Sequence, residues 1–133
     1  MADADRELTS RGLHQAEQMA EWLRRQPLRK VVVLSSPAKR ALQTAETLRL
    51  PVKVKSRLGV GGGVADLLGA AGWPDHSGTV ILVSHQPVLG RLASLLLAGA
   101  EADWSIKKGG IWWFTNRVRH DETQTILRAV HNP

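Results

Sequence analysis

The sequence contains no cysteine, which excludes disulfide staples and thiolate chemistry and points to a reducing cytoplasm. No apolar run approaches the ~20 residues that a membrane-spanning helix needs. The opening residues Met1-Ala2-Asp3-Ala4-Asp5-Arg6-Glu7 are acidic and polar, unlike a secretory signal. Internal repeats, linkers and low-complexity tracts are lacking, as are zinc-finger, RRM and KH patterns. The five histidines, His14, His76, His85, His120 and His131, include no pair at metal-ligand spacing. The run Gly59-Val60-Gly61-Gly62-Gly63 is followed by Val64-Ala65-Asp66 rather than Gly-Lys-Ser/Thr, so it is no nucleotide loop. It reads as a connector or a mobile lid. These absences predict no metal, no cofactor, no nucleic acid and no membrane among the partners.

What is present is enough for one domain with a single sizeable core: 133 residues, 43% of them hydrophobic. Lysine and arginine number 18 against 12 acids, for a net charge of +6. The basic residues are dispersed, at Arg24, Arg25, Arg29 and Lys30, at Lys39 and Arg40, at Lys53, Lys55 and Arg57, and at Lys107 and Lys108. Without a basic stripe, the excess is better suited to drawing in a phosphorylated substrate than to tracking a nucleic acid.

The most informative stretch is Val80-Ile81-Leu82-Val83-Ser84-His85-Gln86-Pro87-Val88-Leu89-Gly90. A continuous run of strand formers predicts a strand covered on both faces, as in a parallel sheet. Pro87 suits the first turn of a following helix, whose inner face is Val88, Leu89, Leu92, Leu95 and Leu96. His85 is thereby placed at the carboxyl edge of the sheet, where open α/β sheets bind ligands.

The same grammar occurs earlier. Val31-Val32-Val33-Leu34 predicts a buried strand that runs into Ser35-Ser36-Pro37 and a helix from Ala38 to Leu50. Arg40 falls in that helix's first turn, beside free N–H groups suited to an anion. Ahead of it, residues 10–26 form a helix capped by Thr9 or Ser10, with Leu13, Ala16, Met19, Ala20 and Leu23 facing the core. A short strand over Pro51–Lys55 and a short helix over Val64–Ala71 follow. Gly99 caps the His85 helix. Ile111–Phe114 and Thr125–Val130 read as an antiparallel hairpin joined by a polar loop, Asn116 to Glu122, with Trp112, Trp113 and Phe114 as sheet packing. The fold class is α/β, a three-layer sandwich with a mostly parallel central sheet, helices on both faces and a C-terminal antiparallel hairpin.

Two strings, Ser36-Pro37-Ala38-Lys39-Arg40-Ala41-Leu42-Gln43-Thr44-Ala45-Glu46 and Ser84-His85-Gln86-Pro87, combine with Leu8-Thr9-Ser10-Arg11-Gly12 before the first helix. Together they resemble the histidine phosphatase superfamily, of phosphoglycerate-mutase-like fold, and within it the short SixA-type phosphohistidine phosphatases. The resemblance runs over nearly the whole chain, to Lys107-Lys108-Gly109-Gly110 before the hairpin. It implies that Arg40 grips phosphate oxygens with its guanidinium fork. It implies that His85 hydrogen-bonds the phosphoryl group and steadies its charge in the transition state. Arg6 matches a further basic residue near the family's site, and Ser84 joins the phosphate-binding set. Read without the resemblance, Arg40 could equally pair with an acid such as Glu46, and His85 could be a hydrogen-bonded core histidine.

The sequence departs from the family at its beginning. The resemblance implies a first strand carrying an Arg-His motif whose histidine attacks phosphorus, and Met1 to Glu7 contain neither strand nor Arg-His pair. The expectation is a single histidine-phosphatase-like domain over 1–133, N-terminally shortened, with phosphohistidine hydrolysis impaired. A non-catalytic phosphate-binding relic is the alternative. A phosphorylated protein is the expected substrate. A shortened sheet is also expected to leave unpaired backbone groups and a gap in the core, and so either to be weakly stable or to recruit a partner strand by swapping or dimerising.

Overall fold

The computed structural model describes residues 2–133. After a single 3-10 turn at Asp3–Asp5, helix α1 spans Ser10–Arg24. The Thr9 hydroxyl caps it by accepting from the Gly12 N–H at 3.0 Å. Ala16, Met19, Ala20 and Leu23 are buried as expected, whereas Leu13 is 40% exposed because the packed part of the helix begins at Ala16.

Strand β1, Val32–Ser35, is the centre of a three-stranded parallel sheet of order β2-β1-β3. Strand β2 is Val52–Val54, with Val33 opposite Val52; β3 is Val80–Val83, with Val32 opposite Val80 and Ser35 opposite Val83. Because strand side chains alternate, Val33 and Leu34 seed two separate cores. Val33 packs with Ala20 and Leu23 of α1 and with Ala45 and Leu48. Leu34 packs with Leu58, with Val64 and Leu67 of α3 (Val64–Ala71), and with Val88 of α4 (Val88–Ala98). Helices therefore cover both faces, and the three-layer α/β architecture is as the sequence predicts. Leu58 and Leu67 are fully buried, each contributing about 1.5–3 kcal/mol.

Helix α2 covers only Lys39–Glu46, four residues short of the expected Leu50. Pro51 disfavours helical backbone at the residue before it, and Arg49 turns the chain at a φ of 57°. Leu48 nevertheless stays buried. Gly99 ends α4 at a φ of 79°, the left-handed conformation expected of a helix C-cap. Pro87 stands just before the first turn of α4 rather than within it.

Two further expectations are corrected. All four β3 residues are only half-buried, because β3 is a sheet edge with β1 as its neighbour and the hairpin forms a sheet of its own. The hairpin is also longer than predicted. Strands β4, Ile111–Arg119, and β5, Glu122–His131, pair through most of the supposed loop. The reversal is made by His120 and Asp121 alone, at φ 53° and 61°, the double left-handed geometry that matches strand twist. The aromatic residues pack on one another: Trp112 lies 6.3 Å from Trp104 and 6.4 Å from Phe114, between ring centroids. Arg128 sits over Trp113 at 4.9 Å.

Residues leading to the hairpin are fastened beside His85. The Gln86 amide donates to the Trp104 carbonyl at 3.0 Å and accepts from the Gly90 N–H at 2.7 Å. Gly90 must be glycine there, since a Cβ would overlap that Trp104 carbonyl.

Candidate functional site

The carboxyl ends of β1 and β3 deliver the chemistry-bearing residues to one place. Ser36 follows β1, Arg40 lies in the first turn of α2, and His85 lies two residues beyond β3. His85 Nε2 is 2.8 Å from the Ser36 hydroxyl, and His85 Nδ1 is 3.4 Å from Arg40 Nη2. Guanidinium N–H groups only donate, so Nδ1 must accept and the proton of the neutral ring belongs on Nε2. Nε2–H then donates to Ser36 Oγ, which also accepts from the Ala38 N–H at 3.1 Å. Ser36 is fully buried. Its hydroxyl thus fixes both the His85 ring and the start of α2.

The pKa of His85 is lowered from 6.5, first by burial and second by the Arg40 charge, with Asp3 acting in the opposite direction. In this arrangement the ring braces the Arg40 guanidinium at the sheet edge.

Arg40 makes no pair with Glu46. Its Nη1 donates to the Asp3 carbonyl at 2.8 Å and its Nη2 to the Asp3 carboxylate at 3.1 Å. The other oxygen of that carboxylate is 3.1 Å from Arg6 Nη2. Arg6 therefore reaches the site through Asp3. The segment that carries it is latched to α2, where Gln43 accepts from the Leu8 N–H at 2.7 Å and Lys39 lies 3.4 Å from Glu7. Ser84 does not join this cluster through its hydroxyl, which donates to the Leu58 carbonyl at 2.9 Å.

Sequence reasoning named Arg40, His85 and Arg6 and missed Ser36 and Asp3. Ser36 was visible inside the Ser-Pro string, but its hydrogen bond to a residue 49 positions away was not. Asp3 carried no signal. The remaining histidines lie on other elements: His14 in α1, His76 in a turn, His120 at the hairpin reversal, and His131 stacked on Trp22 at 4.4 Å. No cluster of ligating side chains that could hold a metal occurs among the described residues. No described helix is long and apolar enough to cross a membrane. A recess of about 200 Å³, lined by Leu23, Leu28, Val31, Leu48 and Ile81 together with the polar Arg24 and Gln26, lies toward the opposite end of β1.

Residues 2–59 match the family model of the histidine phosphatase superfamily, branch 1. No curated protein sequence matches the chain significantly. Among solved structures, the chain is similar to the protein histidine phosphatase SixA complexed with tungstate. That match has 28% identity and a TM-score of 0.76 over 98% of this chain and 86% of that one. It is similar at 25% identity and a TM-score of 0.76 to a protein from Nakamurella multipartitia assigned as a phosphohistidine phosphatase SixA, over 100% and 88% of the two chains. A phosphoserine phosphatase variant from Entamoeba histolytica, in complex with phosphoserine, shares the fold at 19% identity and a TM-score of 0.69, over 98% and 86%.

Proposed function

We propose that the chain belongs to the histidine phosphatase superfamily, as the match of residues 2–59 and the similarity to SixA structures support, and that its pocket receives the phosphoryl group of a phosphohistidine on a protein. The observation that carries this reading is the convergence of Arg40 and His85, 3.4 Å apart, at the carboxyl edge of a parallel sheet. A guanidinium fork holds two phosphoryl oxygens. Phosphoryl transfer depends chiefly on such positioning and on stabilisation of charge spread over three oxygens. Arg6 adds a second cation on the solvent side. Tungstate, a tetrahedral oxyanion, is bound by the SixA of known structure, which supports an oxyanion as the occupant here. Phosphohistidine is favoured over an alkyl phosphate because the interval between Arg40 and His85 holds only Glu46, Asp66 and Asp75 as acids. A leaving nitrogen is readily protonated without help, whereas a leaving alkoxide needs a proton donor. The substrate is a cytoplasmic phosphoprotein, a placement that the lack of cysteine supports.

Hydrolysis through a phosphohistidine intermediate needs a nucleophilic histidine facing Arg40. Among the described residues His85 is the histidine at the pocket, and its Nε2 is committed to Ser36. The 133-residue chain is therefore impaired in turnover. The same observation favours a second reading, a phosphate-binding protein without catalysis. Phosphate release from a phosphohistidine peptide separates the two. Release should be slow with this chain and rise when an Arg-His strand is added at its N-terminus, and Arg40→Ala should abolish it. Inertness of the extended form, despite phosphate binding, would leave the non-catalytic reading.

A further inference from the structure

Asp3 holds the arginines of the pocket as an oxyanion would. One carboxylate oxygen is 3.1 Å from Arg40 Nη2 and the other 3.1 Å from Arg6 Nη2, while the Asp3 carbonyl accepts from Arg40 Nη1 at 2.8 Å. A single carboxylate is thus bridged by two guanidinium groups next to His85. The turn that presents it, Asp3–Asp5, buries none of its residues. The Asp3 side chain is 52% exposed. Its partner Arg40 is 24% exposed; the pair with Arg6, exposed on both sides, is weak, and segments with so little burial open readily. The contact is built to be displaced rather than to hold the fold together.

We infer that Asp3 is an internal competitor for the phosphoryl site, its carboxylate occupying Arg40 and Arg6 until a phosphate group displaces it. This rests on the phosphate-binding reading above and adds to it a regulated entry. A phosphate monoester carries close to two negative charges near neutral pH against one for a carboxylate. It therefore wins the arginines when supplied, and Asp3 sets the concentration at which it does so. Weak anions bearing one charge, such as free carboxylates, are kept out. The opposing account makes Asp3 a positioning residue that orients Arg40 for substrate. The two differ in sign: removing a competitor tightens binding, whereas removing an orienting partner loosens it.

The test is calorimetric titration of inorganic phosphate into the full chain, Asp3→Asn and Asp5→Asn. Asp3 is exposed at the surface, so the substitution leaves the core untouched. Asp3→Asn should bind phosphate about three- to tenfold more tightly, the range expected when one or two exposed ion pairs no longer oppose binding. Asp5→Asn should match the unaltered chain. Unchanged or weaker binding by Asp3→Asn, with the unaltered chain still binding, would overturn the competitor role and leave the phosphate site intact. Absence of binding in both would overturn the phosphate reading, and the competitor role with it.

Discussion

His85 Nε2 and the Ser36 hydroxyl lie 2.8 Å apart across 49 residues of sequence, and this bond ties the end of β1 to the loop after β3. Ser36 Oγ is also the acceptor for the Ala38 N–H at the start of α2. Ser36→Ala leaves both donors without a partner in a fully buried position, a loss of about 1–3 kcal/mol. In urea melts its midpoint should fall while the slope stays that of the unaltered chain. An unchanged midpoint would mean that water or another group replaces the hydroxyl.

Protonation of His85 should oppose folding. Its pKa in the folded chain lies below 6.5, through burial and then Arg40. As pH falls below about 6.5 the unfolded chain takes up the proton first. Stability is thus fully present above that pH and declines until the folded pKa is passed. The two charges that act on the ring make the sign testable by NMR titration of the His85 resonances. Arg40→Ala should raise the His85 pKa, and Asp3→Asn should lower it further. Unchanged His85 titration in both variants would show that neither side chain faces the ring in solution.

The edge of β3 offers a test of the sheet. The Val32 N–H donates to the Thr79 carbonyl and the Ser36 N–H to the Val83 carbonyl. Alternation along a parallel ladder then turns the amides of Val80 and Leu82 away from β1. In hydrogen exchange these two amides should be much less protected than those of Ile81 and Val83. Equal protection of all four would reveal a further strand seated on β3, as in a strand-exchanged dimer.

Local chemistry was the legible part of this molecule. Val64–Ala71 forms a helix over the predicted residues, Thr9 and Gly99 cap where their side chain or lack of one predicts, and the two apolar runs become parallel strands. Errors arose where the outcome depended on neighbours. The apolar run Val80–Val83 does not itself reveal that its far edge has no partner among the described residues. The polar stretch 116–122 pairs because β5 lies beside it, although its composition reads as loop. Within the site, Arg40 and His85 were legible because their motif is local to each strand-to-helix junction. Ser36 and Asp3 became visible only once chain segments 49 and 37 residues apart were brought together.

The central claim is that Arg40 and His85 form an oxyanion pocket, and phosphate titration of the chain beside Arg40→Ala tests it most directly. Charge-assisted hydrogen bonds of this kind are worth about 1.5–3 kcal/mol. The account predicts binding by the unaltered chain and a loss of about ten- to a hundredfold in affinity for Arg40→Ala. Equal affinity in the two would place the anion elsewhere on this basic surface and contradict the assignment of the pocket.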